Sequence, residues 1–398
     1  MIRYSITYNG IHSCSGACLY CLGTKNSKQR MCMTPDNEED IIKLCKAVDE
    51  ENYKTFKYDW EKLYETLDTD KRMKVNEPIY FDLWGGDPLT NFKCLKDTVK
   101  ALKKWAKIRH KNVHFTTSTN GLPLLRKDIV KYIRKEHISL QLSHDGLGQE
   151  VRTNKINPLD FEVTQQLIKE GLLTAINATL TGQNYSLWAN MNYFNSYLKK
   201  IFPKVYSKTE MADKKESDIF KRLYIKLNHI MDSDYDFKFS GRALDDYIQE
   251  WFQILTKDCN ENMARYVEYM PYMRYIREQF KRGSNLKGAG NLCRAYQVGA
   301  NDYSDHLDTT GRYTPCNLCD ADHNVENPEN KLPDYCKGCK YEKSGECNMC
   351  GGLSHRSDHC EYFYRWNQFL SIARYMTSRS SNVNKPSGKQ QNTNKQHS

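Results

Sequence analysis

The sequence of 398 residues has no apolar run approaching the ~18–20 residues that a membrane span requires. Its opening segment, MIRYSITYNG, lacks the basic, apolar and small-residue order of a secretory signal. Hydrophobic residues make up only 39% of the chain and mean hydropathy is strongly negative. Membrane classes are therefore excluded, and the chain reads as cytoplasmic. Glycine, at 21 residues, is far too sparse for a collagen-like repeat, and no internal repeat of fixed period is present. The length is ample for two or three domains with a proper core, which excludes a wholly disordered chain.

What the sequence has in excess is cysteine, 15 residues of it. With no export signal a disulfide scaffold is disfavoured, so these residues read as reduced thiols or metal ligands. Their distribution is uneven. Three sit together at Cys14, Cys18 and Cys21, and eight crowd into the C-terminal third, at Cys293, Cys316, Cys319, Cys336, Cys339, Cys347, Cys350 and Cys360. Cys32, Cys45, Cys94 and Cys259 stand alone and read as small buried apolar residues.

The first two hundred or so residues alternate strand-like and helix-like stretches. Strands are expected at Ile2–Tyr8, Ile79–Trp84, Val113–Ser118, Ile138–Ser143, Ala175–Thr181 and Leu223–Ile230, each short and ending in turn residues. Amphipathic helices are expected at Glu38–Val48, Asn91–Ile108, Leu124–Ile133 and Asp160–Gly171. Six successive βα units imply parallel strands with right-handed crossovers, hence an α/β open sheet or barrel. The charged stretch Tyr206–Lys221 reads as a surface insertion. Leu244–Thr256 and Met263–Phe280 read as helices, the second broken at Pro271. The domains expected are 1–258 for the α/β unit, 259–292 for a linking helix and Gly-rich connection, and 293–366 for a cysteine-rich unit. A disordered basic tail is expected over 379–398.

The segment Cys14-Ser-Gly-Ala-Cys18-Leu-Tyr-Cys21 directly follows the first strand. Its spacings let three thiolates converge on one iron–sulfur cluster, leaving one iron of four open to a small chelating molecule. Structural zinc would want a fourth ligand, for which only His12 is near. Trp84-Gly85-Gly86-Asp87-Pro88 ends the second strand, Thr117-Ser118-Thr119-Asn120-Gly121 the third, and Ser143-His144-Asp145-Gly146 the fourth.

The triplet and these three strand ends, in this order, resemble the radical S-adenosylmethionine (radical SAM) superfamily. The resemblance implies a partial (β/α)6 barrel with its chemistry at the strand C-termini. It implies a [4Fe–4S] cluster on Cys14, Cys18 and Cys21, and S-adenosylmethionine (SAM) bound by Tyr20, Gly85, Gly86, Asp87, Asn120, Ser143 and Arg152. In that family the Gly-Gly edge receives the methionyl amino group, with Asp87 standing where Glu is commoner. Arg152 would meet the carboxylate as a bidentate donor. His144 departs from the usual aliphatic residue of its turn. The reaction implied is reductive cleavage of SAM to a 5′-deoxyadenosyl radical.

The C-terminal cysteines resemble the SPASM extension of peptide- and protein-modifying radical SAM enzymes. Here a Gly311-x4-Cys316 lead-in precedes a C-x2-C-x7-C-x2-C block and a last cysteine. By analogy Cys293, Cys316, Cys319 and Cys350 would hold one auxiliary [4Fe–4S] cluster, and Cys336, Cys339, Cys347 and Cys360 the other. Eight thiolates fill two such sites with no iron vacant for substrate, which favours electron relay. They fill two four-cysteine zinc sites equally well, with His355 and His359 as further ligands, so zinc stays open here.

Two functional classes follow. The first is a radical SAM enzyme modifying a peptide or protein side chain, supplied with electrons by a flavodoxin- or ferredoxin-type reductant. The second is a zinc-ribbon nucleic-acid-binding protein, or a radical SAM enzyme acting on RNA, for which the +10 charge and 27 tyrosines speak. The C-terminal half has no concentrated Lys/Arg run, which disfavours nucleic acid, and the absence of a long apolar run leaves no membrane partner expected. Thirteen residues precede Cys14, too few for an N-terminal leader-peptide-binding domain. No catalytic residue is assigned; Asp145, Asp234 and Tyr235 are loose candidates for a base or hydrogen donor. With eleven thiolates and three clusters of about +2 each, the charge falls by about five. Nearly all the remainder lies in the tail.

Overall fold

The computed structural model describes residues 2–8, 14, 15, 18, 35–71, 77–153, 156–207, 213–229, 241–256, 266, 306–312 and 371. Within β2 (Ile79–Trp84), Ile79, Phe81 and Leu83 are buried while Tyr80 and Asp82 are half-buried and Trp84 is exposed. This period of two commits one face of the strand to helices and leaves the other for a polar interior. β3 (Val113–Thr119) and β4 (Ser139–Ser143) alternate in the same sense. β1 (Ile2–Thr7), β5 (Leu173–Leu180) and β6 (Tyr224–His229) complete the six expected strands. The register slips once between β4 and β5, beside Leu140 and Gln141.

Among the described residues all pairings are parallel, and β1 to β6 stand side by side in chain order. Each crossover thus advances one strand in the same direction, the winding of a partial (β/α) barrel. A seventh strand that the sequence did not announce, β7 (His306–Asp308), pairs parallel with the free edge of β1. It lies in the 293–366 span read above as the cysteine-rich unit.

The crossovers are helices whose caps are legible in the sequence. In α1 (Glu38–Thr55) Asn37 accepts from the Asp40 N–H at 3.0 Å, ahead of three acidic residues in the first turn. Asp59 caps α2 (Trp60–Thr69) in the same way. On α3 (Phe92–Ile108) the buried residues Phe92, Leu95, Val99, Leu102 and Ala106 recur at intervals of three and four, one stripe against the sheet. The expected helix Leu124–Ile133 divides into a 3-10 turn (Leu122–Leu125) and α4 (Lys127–Glu136). α5 (Glu162–Lys169), α6 (Leu187–Ile201) and α8 (Gly241–Thr256) cover later strands, with α7 (Lys214–Arg222) between the last two.

α7 corrects the reading of Tyr206–Lys221 as a surface insertion. It is the helix leading into β6, and it buries Ile219 and Phe220. Its apolar stripe is so narrow that the surrounding Lys, Glu and Asp hid it. Neither α2 nor α6 was anticipated. The helix expected at Met263–Phe280 lies outside the described residues except for Tyr266. That side chain is buried, and its hydroxyl donates to the Met191 carbonyl at 3.3 Å and to Asn195 at 3.0 Å.

Gly311 fastens β7 to the sheet. Its φ is +78°, and a Cβ there would stand 2.6 Å from the Leu63 backbone nitrogen. Only glycine permits so close an approach to α2. Thr66 donates to the Gly311 carbonyl at 2.7 Å, and Thr309 donates through its hydroxyl to the Lys57 carbonyl at 2.6 Å.

Candidate functional site

Strand parity and register place Thr7, Asp82, Thr116, Asn177 and Lys226 on the face of the sheet turned from the helices. A packed barrel would fill that space with branched aliphatic side chains. Here Thr7 Oγ1, Asp82 Oδ1, Thr116 Oγ1 and Asn177 Oδ1 are buried with no hydrogen-bond partner among the described residues. Buried polar atoms ordinarily find partners, so this interior is built for a polar occupant. Arg3 lies 3.6 Å from Asp82, and Lys226 Nζ lies 3.4 Å from Gln141 Oε1. Burial pushes the Asp82 carboxyl above its ordinary range and the Lys226 ammonium below its own.

At the C-terminal rim the strand-end motifs converge. Gly85 and Gly86 have φ of +140° and +56°, and a Cβ on Gly85 would stand 2.8 Å from the Tyr8 side chain. Glycine is what lets this edge fold tightly over the end of β1. Asp87, 2% exposed, accepts four hydrogen bonds. Oδ1 takes the N–H groups of Leu89 at 3.0 Å and Thr90 at 3.3 Å. Oδ2 takes the Thr119 hydroxyl at 3.0 Å and the Asn120 N–H at 2.7 Å. Burial raises the carboxyl to about 6 in spite of these donors.

Asn120 carries the network to the cysteine loop. Its Nδ2 donates to Cys14 Sγ and to Ser15 Oγ, each at 3.2 Å, and Ser15 Oγ is 2.7 Å from Thr90 Oγ1. Cys14, held at this rim by Asn120, and Cys18 are both half-buried. Cys21, Tyr20 and the eight cysteines from Cys293 to Cys360 lie outside the described residues, as do Asp234 and Tyr235. Among the described residues no three His, Cys, Asp or Glu side chains form a metal-binding group. The two thiols present suit an iron–sulfur cluster chemically: they are soft donors, partly accessible, and one already receives an N–H of the kind cluster sulfurs accept. Cys45 and Cys94 are buried as expected, and burial pushes each thiol up to about 12.

The end of β4 is organised differently. Ser143 is half-buried at the strand terminus, and His144 behind it is fully buried. His144 Nδ1 accepts the Gly146 N–H at 3.0 Å, so Nε2 carries the proton and donates to Asn157 Oδ1 at 2.7 Å. Asn157 in turn donates to the hydroxyls of Tyr193 at 3.0 Å and Tyr197 at 2.7 Å. Where an aliphatic was expected, the histidine latches the turn to α6. Arg152 is bidentate on Asp145, Nε to Oδ2 at 3.1 Å and Nη2 to Oδ1 at 2.9 Å, and Asp145 also accepts the Thr179 N–H at 2.9 Å. Asp145 is therefore a strut between β4 and β5, and Arg152 faces it. Asp145 owes its role in part to Thr179, 34 positions away, and Ser15 and Thr90, which the sequence did not single out, meet across 75 positions.

Burial holds the His144 imidazole down at about 4, against 6.5 for a free one. The unfolded chain takes up this proton first. The contribution of His144 is therefore present above pH 6.5 and is lost as pH falls from 6.5 toward 4, about 3 kcal/mol in all. Denaturant midpoints measured across that window should fall with pH, and in His144→Gln this component of the slope should vanish.

No protein-family model and no curated protein matches the chain. Solved structures do. The chain is similar to native anSMEcpe with bound AdoMet and Cp18Cys peptide, at 14% identity, over 96% of this chain and 99% of that one, with a TM-score of 0.52. It is similar to the same protein with AdoMet and Kp18Cys peptide at 13% identity, over 95% and 99% of the two chains, again with a TM-score of 0.52. At such identities the likeness establishes a shared fold. Among the described residues no helix is long and apolar enough to cross a membrane.

Proposed function

We infer that this chain, whose fold is that of the radical SAM enzymes, reductively cleaves SAM and uses the resulting radical to modify a peptide or protein side chain. The observation that carries the reading is the bond from Asn120 to Cys14. It joins two segments 106 residues apart in the sequence, the cysteine triplet and the end of β3, at one rim above a polar interior. The relatives of this fold bound to AdoMet and a peptide support the choice of cofactor and substrate class.

In this reading Cys14, Cys18 and Cys21 would hold a [4Fe–4S] cluster, which would supply the electron for reductive cleavage of SAM. The protein's own contribution is position. Gly85 and Gly86 present backbone groups at the rim where the methionyl amine would lie. Asp87, with both oxygens occupied, shapes that edge by tying the β2 and β3 loops together. Ser143 and Asn120 border the same rim, Tyr20 would pack or hydrogen-bond near the adenine, and Arg152, bidentate on Asp145, would meet the carboxylate. The interior around Asp82, Thr116 and Asn177 receives the side chain to be modified and keeps bulk water from it. Cys293, Cys316, Cys319, Cys336, Cys339, Cys347, Cys350 and Cys360 would hold two auxiliary clusters for electron relay, and a flavodoxin- or ferredoxin-type protein would be the reductant.

The test is anaerobic purification and reconstitution, followed by metal analysis and incubation with SAM and a strong reductant. About twelve irons per chain, little zinc and release of 5′-deoxyadenosine are expected for three full clusters. Zinc in place of iron, with no 5′-deoxyadenosine, overturns the reading. RNA binding that weakens sharply between two salt concentrations would then point to the nucleic-acid alternative.

A further inference from the structure

Asn120 is fixed more completely than binding a cofactor would demand. Its backbone N–H is held by Asp87, and its Oδ1 accepts the Leu122 N–H at 2.9 Å. That second bond decides the orientation of the amide. Were it reversed, its NH2 would face the Leu122 N–H, donor against donor, and its oxygen would face Cys14 Sγ. As placed, both N–H donors of the amide are used, its oxygen accepts the Leu122 N–H, and one N–H points at sulfur. The residue is 4% exposed, so this dipole acts in a poorly screened environment.

We propose that Asn120 is a redox-tuning residue: its Nδ2–H bond to Cys14 makes the cluster on the N-terminal cysteines easier to reduce. The inference rests on the radical SAM reading above and adds a function to a side chain that the reading uses only as a border of the cofactor pocket. Reduction adds negative charge that spreads onto the cluster's sulfurs, and a fixed N–H aimed at one of them stabilises the reduced state more than the oxidised one. Removing the donor lowers the midpoint potential. Asp87 is a positioning residue in this scheme, since its bonds to the Asn120 N–H and the Thr119 hydroxyl set where the amide stands.

The experiment compares wild type with Asn120→Leu and Asn120→Asp in the full, reconstituted chain. Asn120→Leu deletes the donor. Asn120→Asp also deletes it, keeps an oxygen for the Leu122 N–H, and sets a carboxylate oxygen against the sulfur. Midpoint potentials are read by EPR-monitored titration without SAM. The relevant cluster is the one whose reduced signal changes when SAM is added afterwards. With iron content at the wild-type level, Asn120→Leu should shift the reduction equilibrium about tenfold, ~59 mV more negative for one electron. Asn120→Asp should shift it further. Unchanged potentials with iron retained overturn the inference while leaving the radical SAM reading intact. So does loss of iron from both variants with helix content preserved, because the bond would then serve cluster assembly. A wild-type protein that takes zinc and shows no such signal overturns both.

Discussion

Cys18→Ala is expected to abolish release of 5′-deoxyadenosine from SAM and to remove about four irons per chain. Its effect on unfolding of the sheet should stay within about 0.5 kcal/mol of wild type. The two halves of this expectation have different physical origins. Cys18 is half-buried and belongs to no part of the described hydrophobic core, so shortening it opens no cavity there. A cluster held by three thiolates, by contrast, has no spare protein ligand. Cys45 supplies the opposite case. It is fully buried against Ile41 and Leu122, and burial pushes its thiol up to about 12. Cys45→Ala should therefore cost about 1 kcal/mol of stability and leave SAM cleavage in place. Measuring product and denaturation midpoint on both variants separates ligand from packing. Equal losses of activity in the two would show that the thiols are not distinguished as argued.

The same contrast between local and distant causes governs what could be read from the sequence. Strands β1 to β6 were legible because each is short, rich in Ile, Leu, Val, Tyr and Thr, and ends in turn residues, and β2 alternates clearly as well. Ile79, Phe81 and Leu83 point one way and Tyr80, Asp82 and Trp84 the other, and the helical stripe of α3 is equally regular. β7 was not legible, since His306-Leu307-Asp308 is a strand only by virtue of pairing with β1 and of the approach that Gly311 permits. α7 was misread because its buried face is two residues wide. At the site, the motifs identified Gly85, Gly86, Asp87 and Asn120 as a group. Their chemistry could not be apportioned from sequence, because Asp87 spends its oxygens on donors up to 33 positions away and Asn120 reaches back to Cys14. One local signal was informative. His144 stood where an aliphatic was expected, and it turned out to be a buried latch with both ring nitrogens committed.

Arg152→Met should lower stability by about 3–5 kcal/mol, the largest loss expected from a single substitution at this rim. The reason is what it leaves behind. Asp145 is 1% exposed, and the substitution takes from it two charge-assisted bonds while its carboxylate still braces the Thr179 N–H. A buried carboxylate that has lost its guanidinium costs far more than the methionine gains by filling that place. Adding Asp145→Asn removes the stranded charge, so the double variant should recover part of the loss even though it has lost more polar groups. Denaturant unfolding of the wild type, both single variants and the double gives the coupling directly. The same four proteins separate strut from cofactor ligand. If Arg152 serves only as Asp145's partner, the double variant regains SAM affinity along with stability. If the guanidinium also meets the carboxylate of SAM, stability returns and affinity does not. Additive effects of the two substitutions on stability would refute the strut itself.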